Sequence, residues 1–446
     1  MAQAGLTAAA APKSAKCSTL IKASRCDLLG ILMQPRNLRR LLRALSRQGL
    51  DVDYNHPIYS VRLQNSPNAP VAEVLLPEGF PVEAKAFKQL ANLANIRHPS
   101  GGHVCQVCAT PDFHPGDAGV AIGSVVETEG MIIPAAVGSD INCGMRLHTA
   151  DISIDDFLNK RDRFVELIKG DYFLGTRDVT MTAKTSRALF EHGIPGWLDG
   201  MLDLPTGSFV NSELDQLATE CDRVYLGGSL NGSIRWAPEE LVSEEGWVRD
   251  GGLGTIGGGN HFVEIQMVEA IEDRATAVNY GFVNRLVLAE LLRLRLRQVY
   301  GDIEAPLVYD LPHNITLPQQ ESAQIHRWIT RKGACPAYAE QPVIIPGSMG
   351  TPSYLVVGQG NPAFLWSASH GAGRLRSRFE LSRRGAGYSE ETLGLTGVDC
   401  ITLWEERRIE EAPVAYKPIQ PVIEAQVKAE MVSVVARLRP ILTFKA

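Results

Sequence analysis

Helical and strand-like stretches are interspersed along this 446-residue chain, which places it in the mixed α and β class. Three observations carry that reading. Short β-rich pieces broken by glycine run from Gly119 to Leu147. Long helical patterns stand apart from them, at Pro35 to Gln48 and Asn284 to Val299. The glycine-rich run Gly257-Gly258-Gly259 precedes an apolar strand-like stretch rather than a helix, so a Rossmann reading fails. A phosphate-cradling GxxxxGK(S/T) run is absent as well.

The first 26 residues, rich in Ala, Ser and Lys without an acid, read as a flexible tail, and a transit peptide has a similar composition. Residues 27–74 form an N-terminal extension with a basic helix. There Leu38, Leu41, Leu42 and Leu45 follow the i, i+3, i+4, i+7 pattern, while Arg36, Arg39, Arg40, Arg43 and Arg47 crowd the other surface. Such a face is read as a solvated surface on a packed helix, with a contact for phosphates as the alternative.

Further on, Pro81 to Ala94 reads as a helix and His103 to Thr110 as a strand. Gly119 to Ile133 is β-rich, interrupted at Glu129-Gly130. A helix is expected over Ile154 to Ile168 and another near Ser212 to Cys221, within a mixed region from 171 to 250. The Asn284 to Val299 helix carries Arg285, Arg293, Arg295 and Arg297, and Val422 to Leu438 is read as helical. Neither repeats nor heptads are present.

Composition narrows the function. Hydrophobic content of 45% and charged content of 21% are ordinary for a soluble protein. Apolar runs fall short of the roughly 20 residues that span a bilayer, so no membrane partner is expected. Eight cysteines in a chain this long do not make a disulfide scaffold, and a thiol in a candidate metal motif favours a reducing, cytoplasmic setting. The net charge of -6 argues against a broadly basic nucleic-acid binder but not against local arginine clusters.

Four segments carry chemistry. In Ser367-Ala368-Ser369-His370-Gly371-Ala372-Gly373-Arg374 a histidine sits among small residues that let a phosphate approach its ring, with an arginine to neutralise that phosphate. This suits a covalent phosphoryl- or nucleotidyl-histidine, and equally a buried structural histidine beside a turn. Asp140-Ile141-Asn142-Cys143-Gly144 sets a carboxylate and a thiol three apart. Asn260-His261 and His313-Asn314 supply imidazoles. Carboxylate, thiolate and imidazole together suit a transition metal better than magnesium, although unconnected histidines remain an alternative. Cys105-x-x-Cys108, flanked by His103 and His114, holds half of a zinc-knuckle pattern; on a strand the two thiols point to opposite faces, which favours core cysteines.

Taken in order with Arg331-Lys332-Gly333-Ala334 and Pro346-Gly347-Ser348-Met349-Gly350, these segments resemble the RtcB family of GTP- and manganese-dependent RNA ligases, from about Leu75 to the C-terminus. The resemblance implies an α+β fold, a compact catalytic domain over 75–446 with mixed sheets around a metal-lined cleft. It implies that His370 is guanylylated, and that Asp140, Cys143, His261 and His313 hold one or two Mn2+ ions. Asn260, Glu264, Asn314, Ser348, Gly371, Gly373, Arg374, Tyr416 and Lys445 are then expected to line the GTP site. The implied reaction joins an RNA 3'-phosphate or 2',3'-cyclic phosphate to a 5'-hydroxyl, as in RNA repair and tRNA splicing, with an archease-like activator as a partner. Arg331, Lys332, Arg374, Arg376 and Arg378 are candidates to grip RNA phosphates. Pro111-Asp112-Phe113-His114 matches a segment near the family's active site, without an assigned role.

One departure stands out. The family's HSGSRG segment, which supplies a further metal-binding histidine, is absent, and Asn279 falls about where that ligand belongs. An amide oxygen is a weaker metal ligand than imidazole. A nucleotidyltransferase that only caps 3'-phosphate ends, and an RNA-end binding homologue with impaired catalysis, are therefore alternatives to a ligase.

Overall fold

The computed structural model describes residues 35–230, 232–268, 279–319, 326–384 and 387–446. The expected tail over 1–26 lies outside the described residues, as does the side chain of Asn279.

Helix α1 (Pro35–Ser46) forms where the leucine spacing predicts it. Leu45, 1% exposed, packs with Leu50 of β1 (Leu50–Asn55), a burial contributing about 2 kcal/mol. The exposed face carries Arg39, Arg40, Arg43 and Arg47. Strands β1, β2 (Ile58–Leu63) and β3 (Ala72–Leu75) pair antiparallel in sequence. Helix α2 (Ala84–Ala94) then crosses back, so that β4 (His103–His114) runs parallel to β3. β5 (Ile122–Glu129) returns antiparallel beyond the turn.

The middle of the chain holds β6 (Gly144–His148), α3 (Ile154–Asn159), α4 (Arg161–Phe173), β7 (Met181–Thr182), α5 (Ala183–Asp203), α6 (Leu214–Thr219), β8 (Trp247–Val248), β9 (Val263–Val268) and α7 (Asn279–Tyr300). The helix expected over Ile154 to Ile168 is two helices. Ser153 caps the first by accepting from Asp156 N, and the chain breaks at Lys160. Helix α5 was hidden in sequence because Gly193, at φ +64°, and Pro195 interrupt its periodicity.

After α7 come β10 (Leu307–Pro312), β11 (Asn314–Pro318), β12 (Arg327–Lys332), β13 (Ala334–Pro336), β14 (Pro342–Ile345), β15 (Ser353–Gly358) and β16 (Ser367–Ser369). The chain ends with α8 (Arg378–Arg384), α9 (Glu390–Leu393), β17 (Cys400–Thr402), α10 (Glu405–Glu410), α11 (Ile419–Lys428) and β18 (Val432–Lys445). The helix expected to continue to Leu438 stops at Lys428. Glu430 turns at φ +52°, and the β-branched run from Val432 enters a long strand instead.

Two sheets organise these elements. The larger has the order β1-β2-β3-β4-β5-β12-β11. The smaller runs β14-β15-β18-β17, with β9 also paired to β18. Neighbouring residues of the large sheet face opposite cores: Val126 joins the core under α2, whereas Val125 joins the core shared with α4, α5 and α7. Cys108 is fully buried in that second core, as expected of a structural cysteine. The fold is of the mixed α+β type.

Candidate active site

The nucleophile candidate leaves the end of β16. His370 Nδ1 donates to Asp112 Oδ2 at 2.5 Å, and Thr110 Oγ1 donates to Asp112 Oδ1 at 2.6 Å. Asp112 lies at the buried end of β4 with no solvent exposure. Burial pushes its carboxyl pKa up, but the His370 ring and the Thr110 hydroxyl outweigh burial and hold it below the usual value. The carboxylate fixes the proton on Nδ1 and leaves Nε2 as the lone-pair nitrogen. Gly373, at φ +75°, permits this approach, since a Cβ there would collide with the Asp112 carbonyl.

The metal-ligand candidates converge. Ligand atoms of Asp140, Cys143 and His261 all lie within 4.8 Å of one another. His261 Nε2 is 2.8 Å from Asp140 Oδ2 and 3.1 Å from Cys143 Sγ. The Asp140 carboxylate and the Cys143 thiol raise the imidazole pKa to about 10, and His261 in turn lowers that of Asp140. One oxygen, one sulfur and one nitrogen around a common point fit a transition cation such as manganese or zinc. The left-handed Asn142, at φ +59°, turns Asp140 and Cys143 toward the same side.

His313 is placed beside this trio rather than within it. Its backbone N donates to Cys143 O at 2.8 Å, its ring Nδ1 is 3.3 Å from Met145 Sδ, and its ring centroid lies 4.8 Å from that of His370. Burial drives its pKa well below the usual histidine value. It thus bridges the metal candidates and the nucleophile. Asn314 braces the metal turn: its amide donates to Asp140 O at 2.9 Å and accepts from Gly333 N at 2.8 Å.

A charged lattice gathers most of the other nucleotide candidates. Arg374 donates to Asn260 Oδ1 at 3.2 Å, to Glu411 Oε2 at 2.8 Å and to the Tyr416 hydroxyl at 3.1 Å, with its guanidinium 5.0 Å from the Tyr416 ring centre. Arg378 also donates to Asn260 and Glu411. Glu264 on β9 accepts from Thr443 at 2.7 Å and from Gln266 at 2.6 Å, and desolvation raises its pKa to about 7. Lys445, buried near the end of β18, donates to Gly259 O and His261 O; burial lowers its pKa to about 8. Ser348 is buried in a turn closed by Thr351, and Gly371 packs against Pro346 of the same loop.

Two expectations change. Arg331 and Lys332, read as RNA-phosphate contacts, point inward. Arg331 donates to Ser367 Oγ and Leu365 O, and Lys332 to Ala135 O and Asp117 O, satisfying backbone that the strands leave open. Sequence reasoning left Asp112 without a role, although its segment had been singled out. It gave no signal at all for Glu411, whose importance comes from the arginines folded onto it.

The model of the tRNA-splicing ligase RtcB family matches residues 89–278 and 271–446. The chain belongs to the RtcB family. Among its RtcB relatives, the tRNA-splicing ligase of Archaeoglobus fulgidus is 26% identical over 81% of this chain and 91% of its own. The RNA-splicing ligase RtcB of Escherichia coli K12 is 27% identical over 86% of this chain and 99% of its own. A second Escherichia coli relative, RNA-splicing ligase RtcB2, is 28% identical over 82% and 93%. Among the described residues, no helix is long and apolar enough to cross a membrane.

Proposed function

We propose that this RtcB-family protein is an RNA ligase that seals a 3'-phosphate or 2',3'-cyclic phosphate to a 5'-hydroxyl through a GMP carried on His370. The observation that carries the proposal is the Asp112–His370 pair, which presents one imidazole nitrogen as a nucleophile beside a convergent cation site.

Nε2 of His370 attacks the α-phosphorus of GTP; the bond to the β-phosphate oxygen breaks and pyrophosphate leaves. Where the RNA ends in a 2',3'-cyclic phosphate, water first attacks that phosphorus and the bond to the 2'-oxygen breaks, leaving a 3'-phosphate and a 2'-hydroxyl. An oxygen of the 3'-phosphate then attacks the guanylyl phosphorus, breaking the P–N bond and giving an RNA end capped by GMP. The 5'-hydroxyl attacks the 3'-phosphate and GMP departs. Asp112 holds the Nδ1 proton and stabilises positive charge on the ring. Arg378, half-exposed and held by Glu411, offers a guanidinium to phosphate, whereas Arg374 is engaged by Glu411, Glu410 O and Arg376 O and braces the site; Glu264 offers an acceptor to guanine N–H groups. Asp140, Cys143 and His261, with His313 adjoining, would hold one or two Mn2+ ions. When bound, manganese neutralises developing negative charge on phosphate oxygens.

Incubation with α-labelled GTP and Mn2+, followed by a denaturing gel, tests the first step. An acid-labile, alkali-stable label on the protein is expected; its absence from folded protein would sink the proposal. The missing HSGSRG segment favours a second reading, in which GMP is transferred to 3'-phosphate ends without sealing. Capped, unsealed RNA as the end product, with or without an archease-like activator, would select it.

A further inference from the structure

We propose that His103, Cys105 and Glu129 form a second metal site, selective for a zinc-like cation, that clips β4 to β5 at the end of the sheet away from His370. One ligand atom from each of the three lies within 4.8 Å of the other two. The strand geometry explains why they meet. His103 and Glu129 are direct partners in the β4–β5 ladder, and the register shifts between Val104 and Gln106, at Cys105. A tetrahedral shell with bonds of 2.0–2.3 Å spans about 3.3–3.8 Å between ligand atoms, so modest side-chain turns close the set.

The surroundings suit a cation. His103 Nδ1 is 3.3 Å from Gly101 O, which fixes the proton there and leaves Nε2 to coordinate. Glu129 Oε2 is held by Arg327 at 3.0 Å, leaving Oε1. Arg327 also reaches Glu127, buried on the same face, at 3.6 Å. With a divalent ion bound, two carboxylates and a thiolate balance one guanidinium and the metal. A shell of one thiolate, one imidazole and one carboxylate with a fourth position left for water suits tetrahedral zinc. Nine residue steps of β4 separate His103 from Asp112, a span of up to about 30 Å, so the metal would act as a staple and not as a reactant. All three ligands are half-buried, leaving a fourth position for water.

The test uses the full chain with Cys143→Ser as background, which removes the thiolate of the candidate active-site trio. Zinc stoichiometry is measured against a competing metallochromic indicator, and Co2+ is added to read a thiolate-to-metal charge-transfer band. One tight equivalent and the band are expected. Adding Cys105→Ser should remove the band, and either that change or, in a separate variant, His103→Ala should weaken zinc by about 100-fold. Melting in chelator should be equal in all variants, and zinc should raise the melting temperature only where His103 and Cys105 are both present. A band that survives Cys105→Ser, or no zinc bound by the Cys143→Ser protein, would overturn the site. Guanylylation plays no part in these readouts, so failure here leaves the proposed ligase function untouched, and the reverse holds.

Discussion

Strand β4 carries polar chemistry at both ends, and the two ends are built differently. At its C-terminal end Asp112 is wholly buried, and its two oxygens are committed to Thr110 and His370. At its N-terminal end His103 and Cys105 are half-exposed, and Glu129 still shares its charge with a solvent-facing arginine. The first end is over-determined: a buried carboxylate with fixed partners can hold an imidazole in one tautomer through a reaction. The second retains the slack that lets side chains close around an ion. Orientation for catalysis and capacity for ligation thus come from one strand through different degrees of burial.

The largest effects should come from the rigid end. His370→Ala should abolish covalent GMP labelling altogether; because it leaves the buried Asp112 carboxylate without its partner, the melting temperature should fall, and labelling is compared on protein shown to be folded at the assay temperature. Retained labelling would remove His370 as the nucleophile. Asp112→Asn should slow guanylylation by about 10²–10⁴-fold in single turnover, since a neutral amide no longer fixes the tautomer or steadies the charged ring. If only the GTP concentration dependence changed, Asp112 would be a binding residue and the contrast between the two ends would weaken.

Glu264 gives an intermediate effect that pH can read. Its folded pKa, about 7, lies above the ordinary carboxyl value, so the folded state binds that proton more tightly than the unfolded chain. Ionisation of Glu264 therefore costs the ligand-free fold stability as pH rises from about 4.5 through 7. Guanine N–H donors would offset that cost, because they favour the charged carboxylate. GTP affinity should consequently fall as pH drops below about 7, approaching tenfold per unit. Glu264→Gln should flatten this profile; an unchanged profile would take Glu264 out of the base site.

Much of the site was legible because each motif carries its chemistry locally. Asp140 and Cys143 needed only a tight turn, and the glycines around His370 announced a close approach. What the sequence could not give was which distant groups complete them. The Asp112–His370 contact joins residues 258 apart, and Glu411 gains its role only when Arg374, Arg378 and Tyr416 converge on it. Arg331 and Lys332 misled for a related reason. Positive charge beside a glycine suggests phosphate binding, but in a strand buried on both faces the same groups satisfy backbone carbonyls. In the fold, the apolar content of Val422 to Leu438 does not separate a buried helix from a long central strand, and the stretch divides into one of each.

The smallest effect is expected where charge is exposed and unbraced. Residues 1–50 contain nine Lys and Arg against one acid, Asp27, in a chain whose net charge is -6. Helix α1 presents Arg39, Arg40 and Arg43 to solvent, anchored through its leucine face and by hydrogen bonds from Gln64 to Ser46. It packs at the β1 edge of the large sheet, three strands from β4, so its arginines lie roughly 15 Å or more to the side of the strand that carries Asp112. Screening over a Debye length of about 8 Å leaves them little influence on GTP chemistry at physiological salt. Replacing Arg39, Arg40 and Arg43 together by Gln should leave the guanylylation rate within twofold and stability within about 0.5 kcal/mol. RNA affinity measured across salt concentrations decides what the face does. An unchanged slope of log affinity against log salt is expected of a solvated face. A slope shallower by two or more would mean that α1 grips RNA phosphates. That outcome would add a third mode to the same sheet: charge held neither for orientation nor for ligation, but for long-range attraction of substrate.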